Sequence, residues 1–99
     1  MLTSKQRAKL RGMANGYETI FQIGKNGIGA ELTGQIDSAL KAREMIKCRV
    51  LETCEYSARE AAQKLAEATD SEPVQVIGTR FVLFRRNKDK DKRVIELDD

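Results

Sequence analysis

The sequence predicts an α+β fold, with helices and a mixed four-stranded sheet in two layers, in the order α-β-α-β-α-β-β. Three observations predict it. Two segments open with a capping box, another repeats apolar residues at helical spacing, and four short runs of β-forming residues lie between and after these segments. A chain of 99 residues has room for one core, so we expect a single domain over residues 1–97.

The first predicted helix begins at the capping box "TSKQ", residues 3–6, and ends near Asn15, where "NG" favours a turn. At about 100° per residue, its apolar side chains fall on one arc and its cations form two stripes beside that arc. The arc contains Leu2, Leu10, Met13 and Ala14, one stripe is Lys5 and Lys9, and the other is Arg7 and Arg11.

The remaining elements follow from similar local signals. We predict a strand at 18–24, a helix at 29–43, a strand at 46–50 and a third helix from the capping box "SARE" at 57–60. Two further strands, "PVQVIG" and "FVLFRR", flank a turn at "GT". Because "FVLF" is apolar at every position, we expect this last strand to be covered on both faces.

Charge is distributed unevenly along the chain, although the net formal charge is only +3. Residues 1–30 hold five basic side chains and one acidic one, and residues 31–79 hold six basic and nine acidic ones. Residues 80–93 hold seven basic and two acidic side chains. Basic ends around an acidic middle suggest a polyanionic partner.

The composition argues against several classes of protein. The amino terminus is too charged for a secretory signal and the longest apolar run has four residues, so we expect a cytoplasmic protein without membrane contact. Cys48 and Cys54 should then be reduced and inert, since cysteines six apart match no zinc spacing and the chain has no histidine. We therefore predict no metal, no cofactor and no catalytic group, with Glu52 and Glu55 as ordinary surface carboxylates.

The segment "GKNG", Gly24–Gly27, is the clearest candidate for a ligand site. It joins the first predicted strand to the second helix, where free N–H groups and the helix dipole favour an anion. Both glycines leave the backbone open and permit positive φ, Lys25 adds a cation, and Asn26 tolerates a left-handed turn. A backbone phosphate fits this chemistry. The alternative is a turn that only joins strand to helix.

The spacing of the glycines excludes two nucleotide-binding motifs. The segment 24–29 has the form G-x-x-G-x-G, whereas a Rossmann fingerprint needs G-x-G-x-x-G and a Walker loop needs G-x-x-x-x-G-K-[ST]. A G-x-x-G loop that clamps nucleotides by their backbone is the remaining precedent, and the basic ends of the chain agree with that use.

Four segments in order resemble the CRM domain, the chloroplast RNA splicing and ribosome maturation module: "LRGMAN", "IFQIGKNG", "IDSALKAREMIKCRVLE" and "VQVIGTRFVLFRR". Over residues 2 to about 97 the chain is similar to the free-standing bacterial form, the YhbY family. This resemblance implies an RNA-binding protein associated with precursors of the large ribosomal subunit, whose G-x-x-G loop contacts RNA. It also implies a fold related to the C-terminal domain of a bacterial translation initiation factor. Gly29 and Asn15 depart from the family, where a threonine or serine cap and a histidine are common.

The predicted RNA contacts extend from the loop to basic side chains at both ends of the chain. They are Gly24, Lys25, Asn26 and Gly27 in the loop, Lys5, Arg7, Lys9 and Arg11 in the first helix, and Arg85, Arg86 and Lys88 after the last strand. Lys47 and Arg49 could also line an RNA surface on the sheet, although solvated charges at a sheet edge are the favoured interpretation. We expect a monomer whose partner is ribosomal RNA.

Two other classes of function stay open on the sequence. A protein–protein adaptor could dock a basic partner on the acidic segment 52–72. A small enzyme could act on a phosphorylated metabolite at the glycine loop, although histidine supplies no general base. Neither explains the basic ends as economically.

Overall fold

A computed structural model, which describes residues 2–98, has its secondary structure in the predicted order. The helices are α1 (Ser4–Ala14), α2 (Ala30–Arg43) and α3 (Ala58–Thr69), and the strands are β1 (Thr19–Ile23), β2 (Met45–Val50), β3 (Glu72–Ile77) and β4 (Arg80–Phe84). A 3₁₀ turn at Lys90–Lys92 follows β4. The predicted α+β class and the element order are confirmed.

The four strands form one mixed sheet in the order β1-β2-β4-β3. β1 and β2 are parallel, and the other two pairs are antiparallel. Ile23 pairs with Val50 at one end of the sheet, which we call the loop end because the connections 24–29 and 51–57 leave from it. Met45 pairs with Phe84 at the opposite end, the far end.

Both predicted capping boxes are present. Thr3 Oγ1 accepts a hydrogen bond from the Gln6 backbone N–H at 3.1 Å, and Gln6 Oε1 accepts from the Thr3 N–H at 3.0 Å. Ser57 and Glu60 make the same pair of bonds at the start of α3. The bonds from the Ser57 backbone and side chain lower the pKa of Glu60 below its ordinary value, so this cap weakens only as pH falls through that lowered pKa.

The sheet is covered by α2 and α3 on one face and by α1 on part of the other, so the structure adds a partial third layer to the two that were predicted. Phe81 and Leu83 point into the core under α2 and α3, on the face that we call the α2–α3 face. Val82 and Phe84 point the other way, into a second core with α1, on the α1 face. The physical reason is the one given for "FVLF": a strand that is apolar at every position needs cover on both sides.

Residues 87–97, which we call the C-terminal segment, pack on the α1 face although many of them are charged. Ile95 and Leu97 are buried in the same core as Leu10. Glu44, which follows α2, is fully buried and accepts three backbone hydrogen bonds from the segment, given by the N–H groups of Asn87 (2.6 Å), Val94 (2.7 Å) and Ile95 (2.9 Å). The segment is therefore held in place by a buried carboxylate and two apolar anchors.

Candidate nucleic-acid interface

The glycine segment forms a tight turn at the loop end of the sheet. The Gly27 N–H donates to the Gly24 carbonyl at 3.0 Å, which places Lys25 and Asn26 at the tip of the turn. Both tip side chains are exposed, and neither hydrogen-bonds within residues 2–98. Gly27 has a φ of +67°, as its type permits, whereas Gly24 and Asn26 do not adopt positive φ.

Gly24 lies close to the neighbouring connection 51–57, which leaves little room for a side chain. A Cβ at Gly24 would lie 3.3 Å from Thr53 Oγ1 and 3.5 Å from Leu51 Cδ1. The Leu51 N–H donates to the Ile23 carbonyl at 2.8 Å and fixes the connection 51–57 beside the turn. A Cβ at Gly27 would lie 4.0 Å from Glu55 Oε1, so a carboxylate borders that side of the turn and the tip with Lys25 is the side open to an anion.

The start of α2 leaves its first backbone N–H groups without a side-chain cap. Gly29 is the N-cap residue and has extended backbone angles, φ −108° and ψ −178°. Thr33 Oγ1 bonds back to the Gly29 carbonyl at 2.9 Å, so this hydroxyl does not cap the N–H groups either. Glu31 is an exposed acidic residue in the first turn, where it interacts favourably with the helix dipole.

The four cations of α1 differ in how they are used within the protein. The Arg7 guanidinium donates to the Pro73 carbonyl at 2.6 Å and pairs with Glu72 at 3.2 Å, which ties α1 to β3. Lys9 Nζ donates to the Glu96 carbonyl at 2.6 Å. Lys5 and Arg11 are exposed and have no such partner in the described chain, so one cation of each predicted stripe stays available.

The structure does not bring the cations of α1 next to the glycine turn. The α1 core contains Met45, Val74, Val82 and Phe84, and Met45 and Phe84 pair at the far end of the sheet. Because the turn leaves from the loop end, the two predicted groups of RNA contacts are separated along the strands.

Two of the three RNA contacts predicted after β4 make hydrogen bonds within the protein. The Arg85 guanidinium pairs with Asp37 at 2.5 Å and donates to the Thr69 carbonyl at 2.7 Å, joining the end of β4 to α2 and α3. The Arg86 guanidinium donates to the Leu97 carbonyl at 3.3 Å, within the C-terminal segment. Lys88 is exposed. An RNA contact by Arg85 would compete with these internal bonds.

Lys47 and Arg49 do not lie at a sheet edge, in contrast to the favoured interpretation of the sequence. β2 is an interior strand between β1 and β4. Because Cys48 between them points into the α2–α3 core, both side chains lie on the α1 face of the sheet. Both are half-buried. Sequence reasoning did not include Arg80 of β4, which lies directly across from Arg49 and is exposed.

The two thiols lie in different local environments. Burial raises the pKa of Cys48 to about 12, so this thiol stays protonated at neutral pH, and Cys54 Sγ accepts a bond from the Tyr56 N–H at 3.4 Å. Across residues 2–98, no group of three or more cysteine, aspartate or glutamate side chains is placed to hold a metal ion. None of the helices in that range is both long enough and apolar enough to cross a bilayer.

Comparison with known proteins agrees with the resemblance found in the sequence. The CRS1 / YhbY (CRM) domain model matches residues 2–85. The Bacillus subtilis (strain 168) protein named "Probable RNA-binding protein YqeI" is 42% identical over 97 residues, covering 98% of this chain and 99% of that protein. "Probable RNA-binding protein MJ0652" of Methanocaldococcus jannaschii is 33% identical over 112 residues, covering 97% of this chain and 83% of that protein.

A solved structure shares the fold. The solution structure of the hypothetical protein SAV1595 from Staphylococcus aureus matches with a TM-score of 0.76 and 44% sequence identity. The match covers 97% of this chain and 100% of that one. The two proteins therefore share one fold over nearly their whole length.

Proposed function

The chain belongs to the CRS1/YhbY (CRM) domain family, and on that basis we propose that it binds RNA and has no catalytic activity. We further propose that its RNA is ribosomal, in precursors of the large subunit, and that it acts there as a cytoplasmic, monomeric assembly factor. RNA binding is supported by the names of its relatives, and the finer role is what the family resemblance implies.

The observation that carries the proposal is the glycine turn. It presents a lysine and an asparagine at an open tip, beside a helix start whose N–H groups no side chain caps. A phosphate oxygen accepts hydrogen bonds and carries negative charge, and both features match this group of donors. We assign the turn to the sugar-phosphate backbone, whose contacts position a nucleic acid on a protein.

The small size of the domain favours structured RNA over an unstructured strand. Of the eleven predicted contacts, Arg7, Lys9, Arg85 and Arg86 already bond within the protein, which leaves few cations for phosphates. Few phosphate contacts give modest and mostly non-specific affinity for an isolated strand. A folded ribosomal RNA offers shape at several points at once and compensates for this.

The adaptor alternative is weakened by the internal use of the acidic residues. Within the segment 52–72, Glu60 caps α3, Glu67 accepts a bond from Gln63, and Glu72 pairs with Arg7. Glu44, also in the acidic middle of the chain, is fully buried. These four carboxylates have partners within the protein and are less available to a basic partner.

Salt dependence tests RNA binding directly. We expect the dissociation constant for a labelled hairpin RNA to rise steeply with KCl, because each neutralised phosphate contributes about −0.7 (single strand) to −0.9 (duplex) to the log–log slope of the association constant. With three or more contacts the slope should be about −2 or steeper, measured by fluorescence anisotropy between low and moderate salt. Charge reversal at Lys5 or Arg11 should flatten it if α1 is in contact. A flat plot for the unaltered protein would contradict phosphate binding.

A further inference from the structure

A row of polar side chains crosses the loop end of the sheet on the α1 face. The strand register places Gln22 of β1 beside Arg49 of β2, and Arg49 beside Arg80 of β4. Their neighbours Ile23, Cys48 and Phe81 point to the opposite face, into the α2–α3 core. The row therefore lies on one surface, and it is formed by three adjacent strands.

The two arginines of this row occupy directly opposite positions on adjacent strands. The Val50 N–H donates to the Thr79 carbonyl at 2.8 Å, so Arg49 and Arg80 occupy a non-hydrogen-bonded position of the antiparallel ladder. Directly opposite residues at such positions have their Cα atoms about 4.5 Å apart, with the side chains closer together than at the alternate positions. Like charges placed in this way repel each other and destabilise the sheet.

No acidic side chain compensates for this repulsion in the described part of the chain. Neither arginine makes an ion pair, and Arg49 Nε is buried without a hydrogen-bond partner. In contrast, Arg7 and Arg85 each pair with a carboxylate. Local arrangements that are unfavourable and have no internal compensation are expected at functional sites, where a ligand can supply the compensation.

The row is exposed at Gln22 and at Arg80, and Arg49 between them is half-buried. α1 covers the far end of this face, whereas Arg80 at the loop end is exposed. Gln22 is separated from Gly24 by one residue, so the row begins where β1 runs into the turn. Lys47, two residues before Arg49 on the same strand and face, extends the positive charge toward α1.

We propose that Arg49 and Arg80 together bind one phosphate of the RNA, whose backbone passes from the glycine turn across β2 and β4 on the open half of the sheet. This proposal rests on the RNA-binding function proposed above and adds a second contact point to it. Two guanidinium groups on adjacent strands offer several N–H donors and two positive charges to one phosphodiester. The bound phosphate offsets the repulsion that the pair has in the free protein.

The test is the variant Arg80→Glu, compared with Arg43→Glu, which makes the same change of charge at the exposed C-terminal end of α2 near the far end of the sheet. In Arg80→Glu an ion pair with Arg49 replaces the repulsion, so the melting temperature should be equal to or above that of the unaltered protein. Affinity for a fluorescein-labelled hairpin RNA should fall at least tenfold. Arg43→Glu should change this affinity less than threefold.

The outcomes distinguish failure of the arginine-pair proposal from failure of the proposed RNA-binding function. If Arg80→Glu binds the hairpin as well as Arg43→Glu does, the arginine pair is not an RNA contact, while the glycine turn can still be one. A lowered melting temperature in both Arg80→Glu and the milder Arg80→Gln would show that the pair is not repulsive, and the proposal would be overturned. If the unaltered protein binds no RNA, the proposed function fails with it.

Discussion

Replacing Lys25 and Asn26 together with aspartate is expected to lower RNA affinity at least tenfold with little change in melting temperature. Both side chains are exposed at the tip of the turn and hydrogen-bond to nothing in residues 2–98, so the fold loses no contact. Two carboxylates would repel a phosphate at that tip, while Gly24 and Gly27 keep the turn intact. A unit charge pair at 4 Å is worth about 4 kcal/mol near a protein surface, and tenfold is only about 1.4 kcal/mol.

The matched control for this variant is Gln63→Asp with Lys64→Asp. It makes the same change of net charge on the exposed face of α3, at the cost of a Gln63–Glu67 bond and a contact between Lys64 and the Tyr56 ring. Anisotropy titrations with one hairpin RNA should separate the two double variants by at least fivefold. If both bind equally well, the glycine turn is not a phosphate contact.

The second large effect is expected on stability, from Glu44→Gln. The carboxylate is fully buried, and its two oxygens accept three backbone N–H bonds from Asn87, Val94 and Ile95. An amide keeps the shape but turns one acceptor into a donor that faces N–H groups. Hydrogen bonds to a charged acceptor contribute about 1.5–3 kcal/mol each, so we expect a loss of about 3 kcal/mol in the free energy of unfolding.

Thermal denaturation and hydrogen exchange measure this effect. A loss of about 3 kcal/mol lowers the melting temperature of a domain of this size by more than about 10 °C. The amides of Val94 and Ile95 should lose protection first. Glu96→Gln changes an exposed carboxylate in the same segment and should leave both readouts unchanged. Unaltered stability in Glu44→Gln would mean that the C-terminal segment is held by its apolar anchors alone.

The order of elements and the helix starts could be predicted because their signals are local. The capping boxes at Thr3 and Ser57 join residues three apart, and the Gly27 turn closes within four residues. Such contacts join residues that are close together in the sequence, so a local sequence pattern is enough to predict them. The helical arc of Leu10 and Ala14 was likewise correct, and both residues are buried.

The features that the sequence did not predict depend on contacts between distant parts of the chain. Glu44 is charged and resembles a surface residue, and only donors from residues 87–95 make its burial possible. Arg7 and Arg85 have the charge of RNA contacts, but their partners lie 65 and 48 residues away. The pair of Arg49 and Arg80 exists only because β4 inserts beside β2, an order of strands that local patterns do not specify.

The position of α1 on one face of the sheet also depends on contacts between distant parts of the chain, and local patterns do not predict it. Its apolar arc predicts that the helix is buried on one side, without saying which face of the sheet it covers. That choice follows from Val82 and Phe84 of β4, which need cover opposite Phe81 and Leu83, together with the return of Ile95 and Leu97. The run "RRNKDKDKR" is charged throughout apart from one asparagine, yet Ile95 and Leu97 after it are buried and anchor the segment.

A role in large-subunit maturation is best tested by sedimentation of the protein in a sucrose gradient of native lysate from cells that express it. We predict that the protein travels with large-subunit particles, particularly immature ones, at moderate salt, and that high salt strips it off. The variant with aspartates at 25 and 26 should stay at the top of the gradient. If the unaltered protein sediments alone, or equally with small and large subunits, the role in large-subunit maturation is contradicted.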